Sequence, residues 1–142
     1  VIGAPDWRTD GRDWPNREAS RFVHAGGLFW HVQVMGSGPV ALLLHGTGAS
    51  THSWRRLMPL LAQDFTVVAA DLPGHGFTTL PPAARMSLPE MARSVAALLR
   101  TLKLAPSLVV GHSAGAAIGL RMVAEGGTAP GAVVSINGAL RQ

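Results

Sequence analysis

The segment Leu108-Val109-Val110-Gly111-His112-Ser113-Ala114-Gly115-Ala116-Ala117-Ile118 constrains the fold of this chain more than any other. An apolar run of strand length passes, without a linker, into Ala-rich sequence of helical character. The hinge between them is Gly111-x-Ser113-x-Gly115. A buried strand that turns directly into a helix belongs in a parallel sheet covered by helices.

The rest of the chain repeats this alternation. Arg21 to Ala25 and Leu28 to Met35 read as two strands joined at Gly26-Gly27, which predicts a β-hairpin. Val40 to Leu44 and Phe65 to Ala70 are continuous apolar runs, the mark of central buried strands. Ala132 to Ile136 is the last strand, giving roughly six. After Val40 to Leu44, Ser50 or Thr51 caps a helix with an apolar face of Trp54, Leu57, Met58 and Leu61, and Pro59 predicts either a kink in it or its division into two short pieces. Ser87-Leu88-Pro89-Glu90 is a capping-box pattern, followed by Met91, Ala92, Val95, Leu98, Leu99 and Leu102 at helical spacing. A further helix runs from about Ala114 to Glu125 and ends at Gly126-Gly127. The expectation is an α/β fold: a β-hairpin, then βαβ units in a mostly parallel sheet with helices on both faces. Residues 1–19 read as an irregular arm anchored by Trp7 and Trp14, and residues 20–142 as the domain.

Composition supports this and excludes alternatives. Hydrophobic residues make up 47% of the 142 and charged ones 14%, as a sheet buried on both faces requires. No apolar run approaches the ~20 residues of a spanning helix. The chain has no cysteine, which excludes disulfides and thiolate metal sites and fits a cytoplasmic setting. The start at Val1 shows neither a basic nor an apolar signal-peptide pattern, and without an initiator Met the true N-terminus is expected upstream. Net charge is +4. Arg8, Arg12, Arg17 and Arg21 are interleaved with Asp6, Asp10, Asp13 and Glu18, which reads as a solvated arm, not a nucleic-acid surface. Contact with an acidic membrane or partner surface stays open. No P-loop or dinucleotide fingerprint is present. His24, His31, His45 and His52 lack metal-ligand spacing, so no cofactor or metal is expected.

Chemistry concentrates at two glycine-rich turns. A serine hydroxyl is a weak nucleophile unless held exposed beside a base. A sharp strand-to-helix turn exposes Ser113, with Gly111 and Gly115 sparing the collisions that side chains would cause. The helix that follows directs its N-terminal N–H groups at the site. Acyl-transfer chemistry needs two N–H donors for a developing oxyanion. Ala114 supplies one in this reading, and Thr47 of His45-Gly46-Thr47-Gly48 supplies the other. The competing reading makes both segments plain tight turns. Asp71, at a strand end, reads first as a residue that ties its loop and only second as catalytic. His75 and His112 are candidates for the pocket lining. Gly115 and Gly119 imply close helix–sheet packing. After Ser113 the chain has no His and no Asp, and Glu125 is its only acid. The usual Ser, acid, His order therefore cannot be completed here.

These residues resemble the α/β-hydrolase superfamily across residues 20–142. More narrowly, the chain is similar to the magnesium-chelatase accessory proteins of bacteriochlorophyll biosynthesis in photosynthetic bacteria. The carrying segments are Trp14-Pro15-Asn16-Arg17, Ser20-Arg21-Phe22-Val23, Leu43 to Trp54, Asp71 to Thr78, Met86 to Pro89, Gly111 to Ala117 and Ser135-Ile136-Asn137-Gly138-Ala139-Leu140. The resemblance implies about eight strands and a lid inserted after the sixth, so this chain is expected to be the N-terminal portion, ending near the lid junction. It leaves two functions open. One is hydrolysis of an ester, thioester or amide through an acyl-Ser113 intermediate. The other is a non-catalytic accessory role, binding a tetrapyrrole or the magnesium-chelatase subunits. Serine at 113 argues against the carboxylate-nucleophile chemistry of dehalogenases and epoxide hydrolases.

Overall fold

Val40–Leu44 (β3) organises the sheet. Successive side chains of a strand point to opposite faces, and here both faces are dry. Leu42 and Leu44 join one core, Leu43 joins the other, and all three are fully buried. The computed structural model, which describes residues 5–138, accordingly places β3 inside the sheet. It pairs in parallel with Thr66–Ala70 (β4) on one side and Pro106–His112 (β5) on the other. Ser20–Ala25 (β1) and Leu28–Met35 (β2) form the expected hairpin, and β2 runs antiparallel to β4. Ala132–Ile136 (β6) pairs in parallel with β5. The order β1-β2-β4-β3-β5-β6 makes one mostly parallel sheet.

Helices cover both faces. Leu88–Leu102 (α3) and Ala114–Ala124 (α4) lie on one, where Val95, Leu98, Ile118 and Met122 pack with Leu42, Leu44 and Val109. Trp54 and Met58 pack on the other with Leu43, Val67, Ala69 and Val110. The helical stretch around Pro59 is split as expected, into a 3-10 turn at Thr51–Trp54 and a short helix at Leu57–Leu61 (α2). Pro59 has no N–H for the carbonyl of Arg55, four residues back. That carbonyl instead accepts from Asn16 Nδ2 at 3.1 Å. At the start of α3 only half of the capping box forms. Ser87 Oγ accepts from the Glu90 N–H at 3.4 Å, but the Glu90 carboxylate pairs with Arg93 at 2.7 Å.

The arm is more ordered than its sequence implies. Trp7–Asp10 (α1) is a single helical turn capped by Asp6, and Arg17–Ala19 is a 3-10 turn. The tryptophans hold it down. Trp7 packs against Phe22 and Phe77 with ring centroids 5.3 and 4.9 Å apart, and Trp14 Nε1 donates to Thr51 Oγ1 at 3.0 Å. Ala139 and Leu140 of the carrying segment, like residues 1–4 of the arm, lie outside the described residues.

The topology fixes where chemistry can occur. From β3 the chain moves to β4 on one side, then crosses to β5 on the other. In such sheets the crevice lies at the carboxyl ends of the strands around this switch. Three loops meet there: His45–Gly48 after β3, Asp71–Gly76 after β4 and the turn at Ser113 after β5. Among the described residues no helix is long and apolar enough to cross a membrane.

Candidate active site

Ser113 occupies a conformation that a serine does not adopt by default. Its φ is 53° and its ψ −118°, a sparsely populated region costing about 1–3 kcal/mol. The surroundings impose it. The Ser113 N–H donates to the Ile136 carbonyl at 3.0 Å, and the Ala116 N–H donates to the Ser113 carbonyl at 3.1 Å. A Cβ on Gly115 would collide with the carbonyl oxygens of Leu44 and His45, and one on Gly111 with the backbone of Ala116. The turn is therefore pressed against the end of β3, with no room for side chains on either flank. Ser113 is also the residue before the first turn of α4, where serines ordinarily cap. It makes no such bond, so its hydroxyl is not consumed by the helix.

The first glycine-rich loop lies directly against this turn. A Cβ on Gly46 would stand 3.1 Å from His112 Nδ1 and 3.2 Å from Ser113 Cβ. Thr47 and Ala114 border the same cavity of about 310 Å3, whose other walls include Leu72, Met86, Met91 and Ile118. A larger groove of about 600 Å3 runs between α3 and the end of α4, past Arg93, Arg100 and Glu125. It is remote from the strand carboxyl ends, so position, not size, selects the smaller cavity. The structure thus brings together Gly111, His112, Ser113, Ala114 and Gly115 with His45, Gly46 and Thr47.

His45 is buried, and both ring nitrogens are engaged. Nδ1 donates to the Gly46 carbonyl at 2.7 Å, and Nε2 accepts from the Leu72 N–H at 2.9 Å. That pattern requires the neutral ring. Burial holds its pKa below the ordinary value of 6.5; the Gly46 bond opposes this, the neighbouring His75 adds to it and Asp71 opposes it. The unfolded chain consequently takes up a proton near pH 6.5 that the folded chain resists. This contribution to stability is complete above 6.5 and declines as pH falls towards the lowered value. The urea midpoint is expected to be lower at about pH 5.5 than at about pH 7.5, and the His45→Gln variant should lose part of that difference. Equal dependence in the variant would place the acid sensitivity elsewhere.

Asp71 ties the site together, as its structural reading implies. Oδ1 accepts from the Thr51 N–H at 2.7 Å, and Oδ2 accepts from the Phe77 N–H at 3.0 Å. Oδ2 also meets His31 Nδ1 at 2.7 Å, both side chains being fully buried. Burial raises the Asp71 pKa, but the hydrogen bond and charge of His31, with the Phe77 and Thr51 N–H groups, outweigh it and hold the carboxyl below its ordinary range. His31 in turn meets Ser20 Oγ at 2.8 Å, and Gln33 Nε2 donates to the same oxygen at 3.2 Å. Sequence reasoning missed this role of His31. The available signal was the alternation in β2: Trp30 and Val32 face one core, while the polar His31 and Gln33 share the opposite face and are buried as well. A polar pair on a buried strand face calls for a polar partner.

Among the described residues no histidine nitrogen is hydrogen-bonded to the Ser113 hydroxyl. His45 and His31 are committed as above, and His75 Nδ1 bonds the Pro73 carbonyl at 3.0 Å. No group of three His, Asp or Glu side chains among these residues is arranged to hold a metal ion.

A parallel sheet with its switch beside β3 and a strained serine at the β5–α4 turn defines an α/β-hydrolase-fold protein. Residues 39–140 match the model of the alpha/beta hydrolase fold family, and the chain belongs to that family. It is 42% identical over 130 residues to the magnesium-chelatase 30 kDa subunit of Rhodobacter capsulatus, a match covering 90% of this chain and 45% of that protein. It is 40% identical over 109 residues to a fluoroacetate dehalogenase of a Burkholderia species, covering 74% of this chain and 36% of the relative. Among solved structures it superimposes on Cfl2 of Burkholderia cenocepacia with a TM-score of 0.78 at 30% identity, covering 84% of this chain and 41% of that one. The epoxide hydrolase VrEH1 of Vigna radiata gives 0.76 at 30% identity, covering 82% and 39%. The chain spans less than half the length of each of these relatives.

Proposed function

We propose that Ser113 is the nucleophile of an acyl hydrolase acting on an ester, thioester or amide. The observation that carries this reading is the strained, uncapped serine at the N-terminus of α4, beside the loop that carries Thr47. The Ser113 oxygen attacks the carbonyl carbon while its proton passes to a base. The tetrahedral oxyanion is stabilised by the N–H groups of Ala114 and Thr47, as preorganised donors. Collapse returns the proton to the leaving group and leaves acyl-Ser113, which water then cleaves by the same route. Gly46 permits the close approach of the loop, and Gly111 and Gly115 permit that of the turn. In this reading residues 20–142 form the N-terminal part of the catalytic domain, and chain beyond residue 142 supplies the base and its acid partner. The share of each relative that this chain spans supports that division.

A second reading rests on the 42% identity to the magnesium-chelatase subunit: an accessory protein that binds a tetrapyrrole or the chelatase without acyl chemistry. Labelling the full-length protein with a fluorophosphonate separates the two. The hydrolase reading expects one adduct, mapped to Ser113. Absence of an adduct, with protoporphyrin or chelatase binding intact, would establish the accessory role.

A further inference from the structure

Taking Ser113 as the nucleophile, we infer that the cavity beside it receives a neutral, hydrocarbon-like acyl group and rejects anionic ones. The walls are apolar. Leu72 and Ile118, 1% and 2% exposed, form part of the core, and Met86 and Met91 stand at the cavity from the turn before α3 and from the start of α3, respectively. Thr47 and His75 are the polar side chains on the lining. Methionine side chains are unbranched and adaptable, so such a wall fits chains of varied shape. Apolar surface continues outside. Leu80 is 68% exposed and Leu88 40%, and Leu80 and Met86 both crowd against Gly74. At about 310 Å3 the cavity is at the small end of ligand sites.

The charges nearby are committed elsewhere. Arg85, next to Met86, donates to the Gly26 carbonyl at 3.0 Å and to Ser94 Oγ at 3.4 Å. Glu90, next to Met91, is paired with Arg93, which also reaches Glu125. No Lys or Arg among the described residues lines the cavity. A carboxylate on the acyl group would give up its hydration there for only the Thr47 hydroxyl and the His75 ring, with no Lys or Arg to offset the loss.

The test uses the full-length protein and p-nitrophenyl esters. From acetate to butyrate to hexanoate, kcat/KM is expected to rise about threefold to fourfold per added methylene until the cavity is filled. The hemisuccinate should fall about tenfold or more below the butyrate. Met91→Lys should reverse that preference, and Met86→Lys, at a half-buried turn position, provides the same test if Met91→Lys does not fold. A separate arm requires no turnover: 1-hexanol, but not succinate, should displace N-phenyl-1-naphthylamine from the Ser113→Ala protein. A flat or falling series in an active enzyme, or a hemisuccinate preference, overturns the inference and leaves Ser113 standing. No turnover of any ester with hexanol displacement intact removes the nucleophile and supports the apolar site. Displacement by succinate overturns the site itself.

Discussion

Replacing Ser113 by alanine is expected to lower kcat of the full-length protein by about 10⁴- to 10⁶-fold, the loss seen when a serine nucleophile is removed. Stability should change little, within about 0.5 kcal/mol, because alanine keeps the same Cβ and the lost hydroxyl makes no capping bond. Ser113→Gly separates the functional from the structural explanation of this turn. At a φ of 53°, glycine relieves strain that any L-residue bears, so that variant should be more stable by about 1 kcal/mol and equally inactive. A serine retained only to make a tight turn would give the same gain in stability, but activity would be kept. Hydrolysis by Ser113→Ala at the wild-type rate would show that another group performs the chemistry.

The contrast between Ser113 and His31 shows what sequence can carry. Ser113 was legible because its constraints are local. The apolar strand before it, the helix after it and the two glycines beside it are all within a few residues, and turn geometry follows from such neighbours. Thr47 was legible for the same reason, since a glycine-rich loop after a buried strand ends at the sheet's carboxyl edge. The order of strands was partly legible, because alternation of strands and helices restricts the topology to a few arrangements. His31 was not. Its partners are Ser20, eleven residues away, and Asp71, forty residues away, and no local rule relates those positions. The arm shows the same limit. Its tryptophans were recognisable anchors, but their targets, Phe77 and Thr51, are supplied only by the folded sheet. The base that the proposed mechanism requires is a different case: the chain after Ser113 contains no His or Asp, so there was nothing of the expected kind to read.

Asp71→Ala is expected to produce the largest loss of stability, about 3–5 kcal/mol, because donors left without an acceptor in the interior cost about 1–3 kcal/mol each. Three donors lose their acceptor together: His31 Nδ1 and the N–H groups of Thr51 and Phe77. Each belongs to a different segment, namely β2, the turn after the Thr47 loop and the loop that carries His75. Against a total stability of ordinarily 5–15 kcal/mol, the loss is a large fraction, measurable as a shift in urea midpoint. Asp71→Asn should recover only part of it, because an amide nitrogen cannot accept from His31 or Phe77. The pH dependence supplies a second signature. The Asp71 carboxyl lies below its ordinary pKa of 3.8 in the folded chain, so its contribution is complete above that value and disappears as pH falls through the lowered one. Wild type should therefore lose more stability than Asp71→Ala on going below pH 3.8, while both share the decline that His45 causes from 6.5 downward. Activity should fall too, and more in kcat than in KM, since the Thr51 anchor fixes the end of the loop that carries Thr47. A loss below about 1 kcal/mol, with parallel acid limbs in both proteins, would mean that solvent replaces the carboxylate and that the three segments are held by other contacts.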